Sequence, residues 1–253
     1  MLETLYFVIA LNLIGFLVAF RFKTDKLTDI SYALSFASIA LYGAYSNEFS
    51  LIQWSVFALV LLWSARLGSF LLYRVHVVGK DGRFDEMRKS FFAFGRFWLL
   101  QAITSWVVML PASYLFQTEK TTSLQATTVF GLIIALFGII FEAIADWQKF
   151  HFNQNPKNKG KWIERGLWKY SRHPNYFGEI LTWYGVWAAC MPWLDNRASY
   201  IGILSPLTIT VLLVGISGIP ILEKSADKRW GKVEAYKTYR RKTSVLVPWI
   251  RKV

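Results

Sequence analysis

The chain has 253 residues, of which 54% are hydrophobic, 17% aromatic and only 18% charged, with a formal net charge of +13. Those proportions exclude an ordinary soluble domain; the charges are clustered and leave apolar runs that approach the roughly 20 residues a bilayer span needs, so the composition points to an integral membrane protein. The single cysteine, Cys190, excludes an internal disulfide and a cysteine-based metal cluster, and the basic excess falls in short loops where topology and anionic headgroups account for it, so no nucleic acid is expected as partner.

Taken in order, the apolar runs predict seven spans at roughly 4–20, 29–46, 51–73, 97–116, 127–146, 175–193 and 201–221. Met1-Leu2-Glu3-Thr4 has no basic n-region and the run after it has no small-residue cleavage site, so the first run reads as a retained span. Loops one, three and five and the tail after Leu222 together carry 26 of the 29 Lys and Arg residues. Only Lys120 and Arg197 fall on the other side, and Arg66 lies within a span. The positive-inside rule then places the N-terminus outside and the C-terminus inside. No internal repeat or flexible linker interrupts the chain. The expected fold is an all-α seven-transmembrane helix bundle, one domain over residues 1–253, whose loops 74–96 and 147–174 and C-terminal tail form a polar cytoplasmic cap suited to a charged, water-soluble ligand.

Several polar residues sit where lipid does not tolerate them without a reason. Asp29 and Gln53 lie near span ends, where solvation or helix capping explains them, and Tyr32 follows Asp29 by one turn, so that Asp29 can orient its phenol. Arg66 either forms a structural ion pair with Glu142 or Glu179 or contacts an anionic or carbonyl ligand. Glu142 and Asp146 are four apart and project from one face near the inner end of the fifth span. Asp146 is close enough to the boundary to reach water, whereas Glu142 is a turn deeper and calls for a partner or a function.

The loop Gly79-Lys80-Asp81-Gly82-Arg83-Phe84-Asp85 has glycine turns around alternating charges, the pattern of a solvated loop. In the fifth loop Lys161, Arg165 and Lys169 lead to Ser171-Arg172-His173-Pro174-Asn175-Tyr176-Phe177-Gly178-Glu179. Pro174 suits the first turn of a helix, with Asn175 and Glu179 on one face. A helix N-terminus beside Arg172 suits a phosphate or carboxylate. In the tail, Glu223, Asp227, Arg229, Tyr236 and Tyr239 alternate aromatic and charged character, consistent either with adenine and phosphate binding or with an interfacial amphipathic helix. The chain has no G-x-G-x-x-G, Walker, G-x-S-x-G or H-E-x-x-H pattern, and His76, His151 and His173 are too dispersed in sequence to read as a metal set.

Arg172-His173-Pro174-Asn175-Tyr176-Phe177-Gly178-Glu179 resembles the membrane superfamily of steroid 5α-reductases, C14-type sterol reductases and isoprenylcysteine carboxyl methyltransferases. The Arg-His-Pro-x-Tyr core is common to both branches. Asn175 to Glu179, Asp81-Gly82-Arg83-Phe84, Gly138 to Asp146 and the tail Tyr239 to Ile250 are similar to the bacterial-type relatives of steroid 5α-reductase. The resemblance covers the last half of the chain well and the first two spans poorly. It implies a seven-span enzyme that reduces the C4–C5 double bond of a 3-oxo-4-ene steroid, or a similar enone lipid, with NADPH. It further implies that Asn175 and Glu179 face the nicotinamide. Ribose, phosphates and adenine would fall to Asp81, Arg83, Glu142, Asp146, Lys161, Tyr170, Arg172, His173, Glu223, Asp227, Arg229 and Tyr236.

Hydride addition to an enone leaves charge on the carbonyl oxygen, which a positioned donor must stabilise. The candidates in the first three spans are Asp29, Tyr32, Gln53 and Trp63, with Arg66 near; the family's Gln-Glu pair is replaced here by Gln53-Trp54. The alternative is an S-adenosylmethionine-dependent methyltransferase acting on a lipidated cysteine or phospholipid, and a third reading is a sterol-binding or receptor-like protein. No metal and no obligate protein partner are expected. The setting is a multi-pass bilayer location, the inner membrane of a bacterium or the endoplasmic reticulum of a eukaryote.

Overall fold

The computed structural model describes residues 1–24, 26–78, 87–119 and 123–250. These residues form helices α1 (Leu2–Arg21), α2 (Lys26–Ser46), α3 (Leu51–Val78), α4 (Phe91–Val108), α5 (Leu110–Phe116), α6 (Ala126–Gln154), α7 (Pro174–Cys190), α8 (Asn196–Gly202), α9 (Leu204–Thr210), α10 (Ile219–Trp230) and α11 (Glu234–Lys242). Among the described residues there is no β-strand. Five stretches are long and apolar enough to cross a membrane: Leu2–Arg21, Leu51–Val77, Phe91–Val108, Ala126–Gln154 and Asn196–Trp230. An all-helical chain with several membrane-length helices is therefore established. The remaining two expected spans fall on α2, whose first turn carries Lys26 and Asp29, and on α7, which has 17 residues.

Two expected spans are broken, for reasons the side chains supply. The run at 97–116 divides at Met109, because Pro111 has no N–H to donate and its ring crowds the preceding turn; α5 restarts with the proline in its first turn. The run at 201–221 is likewise not one rod. It passes through α9 and a π-helical turn over Val211–Ile216 and restarts after Gly218 with Pro220 in the first turn of α10. By contrast α6 runs on to Gln154, two turns past its expected end.

The helices gather into two compact units. The first comprises Met1–Leu132 with Val186–Ser205. Its centre is both aromatic and polar: Phe16, Ala19, Phe94 and Trp98 form a buried cluster, while Asn12, buried in the middle of α1, ties three helices together. The Asn12 Nδ2 donates to Val8 O and Ser35 Oγ, each at 2.9 Å, and its Oδ1 accepts from Gln101 Nε2 at 3.1 Å. Such ladders satisfy polar groups where no water reaches them. α3 begins in a reciprocal capping arrangement: Ser50 N–H donates to Gln53 Oε1 (2.7 Å) and Gln53 N–H to Ser50 Oγ (3.4 Å).

The second unit comprises Ile133–Gly185 with Pro206–Val253. Its central feature is a close crossing of α6 and α7. A Cβ placed on Gly138 would lie 2.6 Å from Thr182 N and 2.7 Å from Gly178 O, and one placed on Gly178 would lie 2.7 Å from Glu142 N. Only hydrogen fits at either position, so the two backbones touch, and the contact leaves Glu142 only 3% exposed.

Gly178→Ala is expected to lower stability by about 1–3 kcal/mol through overpacking of backbone against backbone. Gly215→Ala, at a glycine with no atom within 4 Å of the added methyl, is the matched control and should stay within about 0.5 kcal/mol of the parent. Thermal unfolding in detergent distinguishes them; equal melting of both variants would mean the helices do not touch at Gly178.

Candidate functional site

The polar centre of the second unit is built around the start of α7, where Pro174 is the first helical residue. The segment before it is pinned along the C-terminal tail. Arg172 N–H donates to Ser244 O at 2.8 Å, Ser171 Oγ to Leu246 O at 2.7 Å, and Trp249 N–H to Tyr170 O at 3.2 Å, with Ser171 and Ser244 in a parallel bridge. Beneath this seam, Tyr239 donates its hydroxyl proton to Trp168 O (3.0 Å), and Trp168 Nε1 donates to Ala145 O of α6 (3.0 Å). Gly166, at φ +61°, makes the turn into that segment, where a side chain would be strained and would strike Gln148. Gln148 Oε1 instead accepts from Leu167 N–H at 2.9 Å.

One carboxylate gathers the charges. Glu223 on α10 accepts from Arg172 Nη1 at 2.6 Å and pairs with His173 Nε2 at 2.8 Å, and Arg240 Nη2 of α11 lies 3.5 Å from it. Arg240 also pairs through Nη1 with Asp227, one turn along α10. The Arg172 and His173 side chains are 9% and 5% exposed, and Glu223 is 17% exposed, so these contacts are shielded from solvent. Burial holds the His173 pKa below its ordinary value; the hydrogen bond to Glu223 opposes that shift, and the positive charges of Lys149 and Arg172 add to it. The imidazole is therefore neutral at pH 7, with Nε2–H donating to Glu223. Burial also raises the Tyr236 phenol, reinforced by Glu223 and Asp227 and opposed by Arg240 and Arg172, so it stays protonated.

Two buried atoms of this cluster have no hydrogen-bond partner among the described residues: Arg172 Nε, a donor, and His173 Nδ1, an acceptor in the neutral ring. Buried polar atoms are rarely left so, and a water, an ion or a ligand atom would satisfy each. Beside the cluster Trp162, Trp230, Tyr236 and Tyr239 pack edge-on and tilted, with ring centroids 5.2–6.4 Å apart. The His173 ring lies parallel to that of Tyr176 at 5.7 Å.

Of the sequence-predicted residues, Arg172, His173, Glu223, Asp227 and Tyr236 are thus part of one cluster. Asn175 and Glu179 lie half-buried on the first turns of α7, Glu142 is buried at the α6–α7 crossing and Asp146 is half-buried one turn further along α6. Lys161 and Arg229 stand on the exposed surface, and Tyr170, 40% exposed, lines a shallow hollow with Pro248, Trp249 and Ile250. Asp81 and Arg83 lie outside the described residues. In the first unit Asp29 pairs with Arg74 at 3.0 Å, and the Tyr32 ring packs on Phe36 and Trp63 at 5.0 and 6.3 Å. Arg66 is half-buried on α3. Gln53, fully buried, spends its amide on the α3 start and donates to Leu115 O (2.9 Å) and Thr118 O (3.2 Å). Sequence reasoning missed Arg240 and Trp162. The signal for Arg240 is its spacing: four residues after Tyr236, it faces a carboxylate pair that is itself four apart.

These features define a multi-pass helical membrane protein with a polar centre at the start of α7. A family described as proteins of unknown function, DUF1295, matches residues 15–243, and the chain belongs to that family of membrane proteins related to steroid 5α-reductases. No curated protein and no solved structure matches it.

Glu223→Gln should cost about 3 kcal/mol of unfolding free energy, because it leaves shielded cations without their counter-charge. The depressed His173 pKa sets a second expectation. Its contribution to stability is complete above the ordinary histidine value of 6.5 and is lost as pH falls below it toward the folded value, since the unfolded chain takes up a proton that the folded chain resists. Unfolding followed from about pH 7.5 to about pH 5 should show that slope, and His173→Gln should flatten it.

Proposed function

We propose that the protein is a seven-span membrane reductase, N-terminus out and C-terminus in, that uses NADPH to reduce the C4–C5 double bond of a 3-oxo-4-ene steroid or a similar ring enone carried in the bilayer. The observation that carries this reading is the pair of orphaned buried atoms, Arg172 Nε and His173 Nδ1, at a helix N-terminus in a unit rich in basic side chains. A donor suited to a phosphate oxygen and an acceptor suited to a ribose hydroxyl fit a dinucleotide. The family's relation to steroid 5α-reductases supports the same direction.

When bound, NADPH supplies the hydride. The residues of the chain would do the rest: Asn175 and Glu179 would orient the carboxamide end, with Glu179 accepting from its N–H₂. Arg172 and His173, held in place by Glu223, would hold the phosphate and ribose side, and the aromatic cluster of Trp162, Trp230 and Tyr236 would offer a face to the adenine. Hydride addition at the β-carbon pushes the double-bond electrons onto the carbonyl oxygen, and a hydrogen-bond donor must meet that developing charge in a dry pocket. The α-carbon of the enolate then takes a proton from water, which restores the carbonyl and leaves the saturated ketone.

The Arg-His-Pro-x-Tyr core is also that of methyltransferases, and cofactor binding separates the two readings. Purified protein in detergent should quench and saturate with NADPH, whereas saturable binding of S-adenosylmethionine alone sinks the reductase. Glu179→Gln and Asn175→Ala should each lower turnover of a 4-ene-3-ketosteroid by about tenfold or more, the loss expected for a hydrogen bond to a charged group or one fixing the reacting ring. Unchanged cofactor binding and turnover in both variants would remove these residues from the site.

A further inference from the structure

The tail after α11 runs as a strap along residues 170–172, pinned by the backbone bonds of Arg172 and Trp249 and by Ser171 Oγ. Its outer edge is apolar. Val247, Trp249 and Ile250 are 52%, 71% and 81% exposed, and Tyr170, Pro248, Trp249 and Ile250 line a hollow of about 260 Å³. The flanking charge is of one sign: residues 165–172 and 239–250 contain no acid. Lys169, Arg241 and Lys242 are exposed there, and none of the three pairs with an acid among the described residues. Lys169 Nζ lies over the Tyr170 ring at 5.7 Å, and Arg241 Nη2 donates to the neutral Thr238 hydroxyl at 3.3 Å.

The level of the strap follows from α6, a helix of membrane length. Among residues 133–144 only Glu142 has a polar side chain, whereas six of the nine residues 146–154 are polar. The passage from hydrocarbon to water along α6 therefore falls near Ala145. Trp168 bonds to the Ala145 carbonyl and Tyr239 bonds to Trp168, which ties both sides of the seam to that level. Trp147, 55% exposed, stands on α6 two residues further on, where interfacial aromatic residues are expected.

We propose that the strap is a docking surface for anionic phospholipid, with Lys169, Arg241 and Lys242 at the headgroup phosphates and the Trp249 and Ile250 edge in the acyl boundary. Uncompensated cations beside exposed aromatic and branched side chains match the two layers of a lipid surface. A zwitterionic lipid covers the apolar edge and leaves the cations without a net counter-charge. An acidic soluble partner does the reverse. A second copy docked on the same face brings the same positive charge against it and is repelled. The inference does not depend on the reductase reading.

Native mass spectrometry of the full-length protein in detergent, with phosphatidylglycerol and phosphatidylcholine of identical acyl chains, reads the lipid retained. Phosphatidylglycerol should be favoured by about tenfold or more, since each basic side chain near an anionic surface contributes about fivefold. Rising ammonium acetate should erode that preference in the unaltered protein. Combined Lys169→Gln, Arg241→Gln and Lys242→Gln should remove most of it. Combined Lys157→Gln, Lys159→Gln and Lys232→Gln, an equal loss of charge at exposed positions outside the strap, should leave it in place. Trp249→Ala, which keeps the backbone bond to Tyr170, should lower phosphatidylglycerol retention severalfold. Equal losses in the two triple variants would mean that net charge attracts the lipid without a site, and would overturn the proposal. Equal retention of the two lipids by the parent would do the same, as would a parent dimer that Trp249→Ala dissolves with lipid retention unchanged.

Discussion

The Glu223 carboxylate is the interaction on which the second unit depends. It holds Arg172 and His173 from the segment before α7 and Arg240 from α11. A carboxylate has two oxygens and about four acceptor positions, and here both are used by cationic or N–H donors. In a chain with 16 acidic residues against 29 Lys and Arg, a shielded acid determines how several bases can be arranged. Without it, Arg172 and Arg240 would repel each other and the tail would have less reason to lie along Tyr170–Arg172. The backbone bonds to Ser244 and Leu246 fix the register of that seam, and the ion pairs set which way its side chains face.

α7 is held at two heights by different physics. At its start the constraint is electrostatic, through Glu223. One turn in, it is steric, through the contact of Gly138 with Gly178. Asn175 and Glu179 lie between and beside these anchors, so their positions follow from a rod fixed at both points rather than from a loop. Sites that must hold geometry to a fraction of an ångström are best built in this manner. The same contact explains the buried Glu142: Gly178 has no side chain, and its backbone packs against Glu142 N and Cβ.

Much of this was legible in the sequence, and the divisions are instructive. The apolar runs were readable because burial in a bilayer is demanded of whole segments, and the α7 start was readable because Pro174 tolerates few other places. The breaks at Met109 and Gly218 were carried by Pro111 and Pro220, but hydropathy averages over them. Ser50 and Gln53 show the serine-x-x-glutamine spacing of a capping box, which explains the buried amide locally. Asp29 with Arg74, and Glu223 with Arg172, join residues 45 and 51 positions apart; no local pattern fixes such pairs. The orphaned atoms of Arg172 and His173 were not legible at all, since being without a partner is a property of packing.

For the proposed reaction the remaining question is which group meets the charge on the carbonyl oxygen. Gln53 has its amide hydrogens donated to Leu115 and Thr118, and moving them would strip the α3 start of its cap. Asp29 is engaged in an ion pair with the Arg74 guanidinium at 3.0 Å. Trp63 is fully buried and offers only an indole N–H. Tyr32 is the fourth of these candidates. Its ring is half-buried and fixed edge-on against Phe36 and Trp63, and a phenol is a donor at neutral pH whose hydrogen bond strengthens as an oxyanion forms. Aromatic walls exclude water and lower the local dielectric, which increases the difference between the bond made to a ketone and the bond made to an enolate. That difference, and not the strength of the ground-state bond, is what accelerates a reduction.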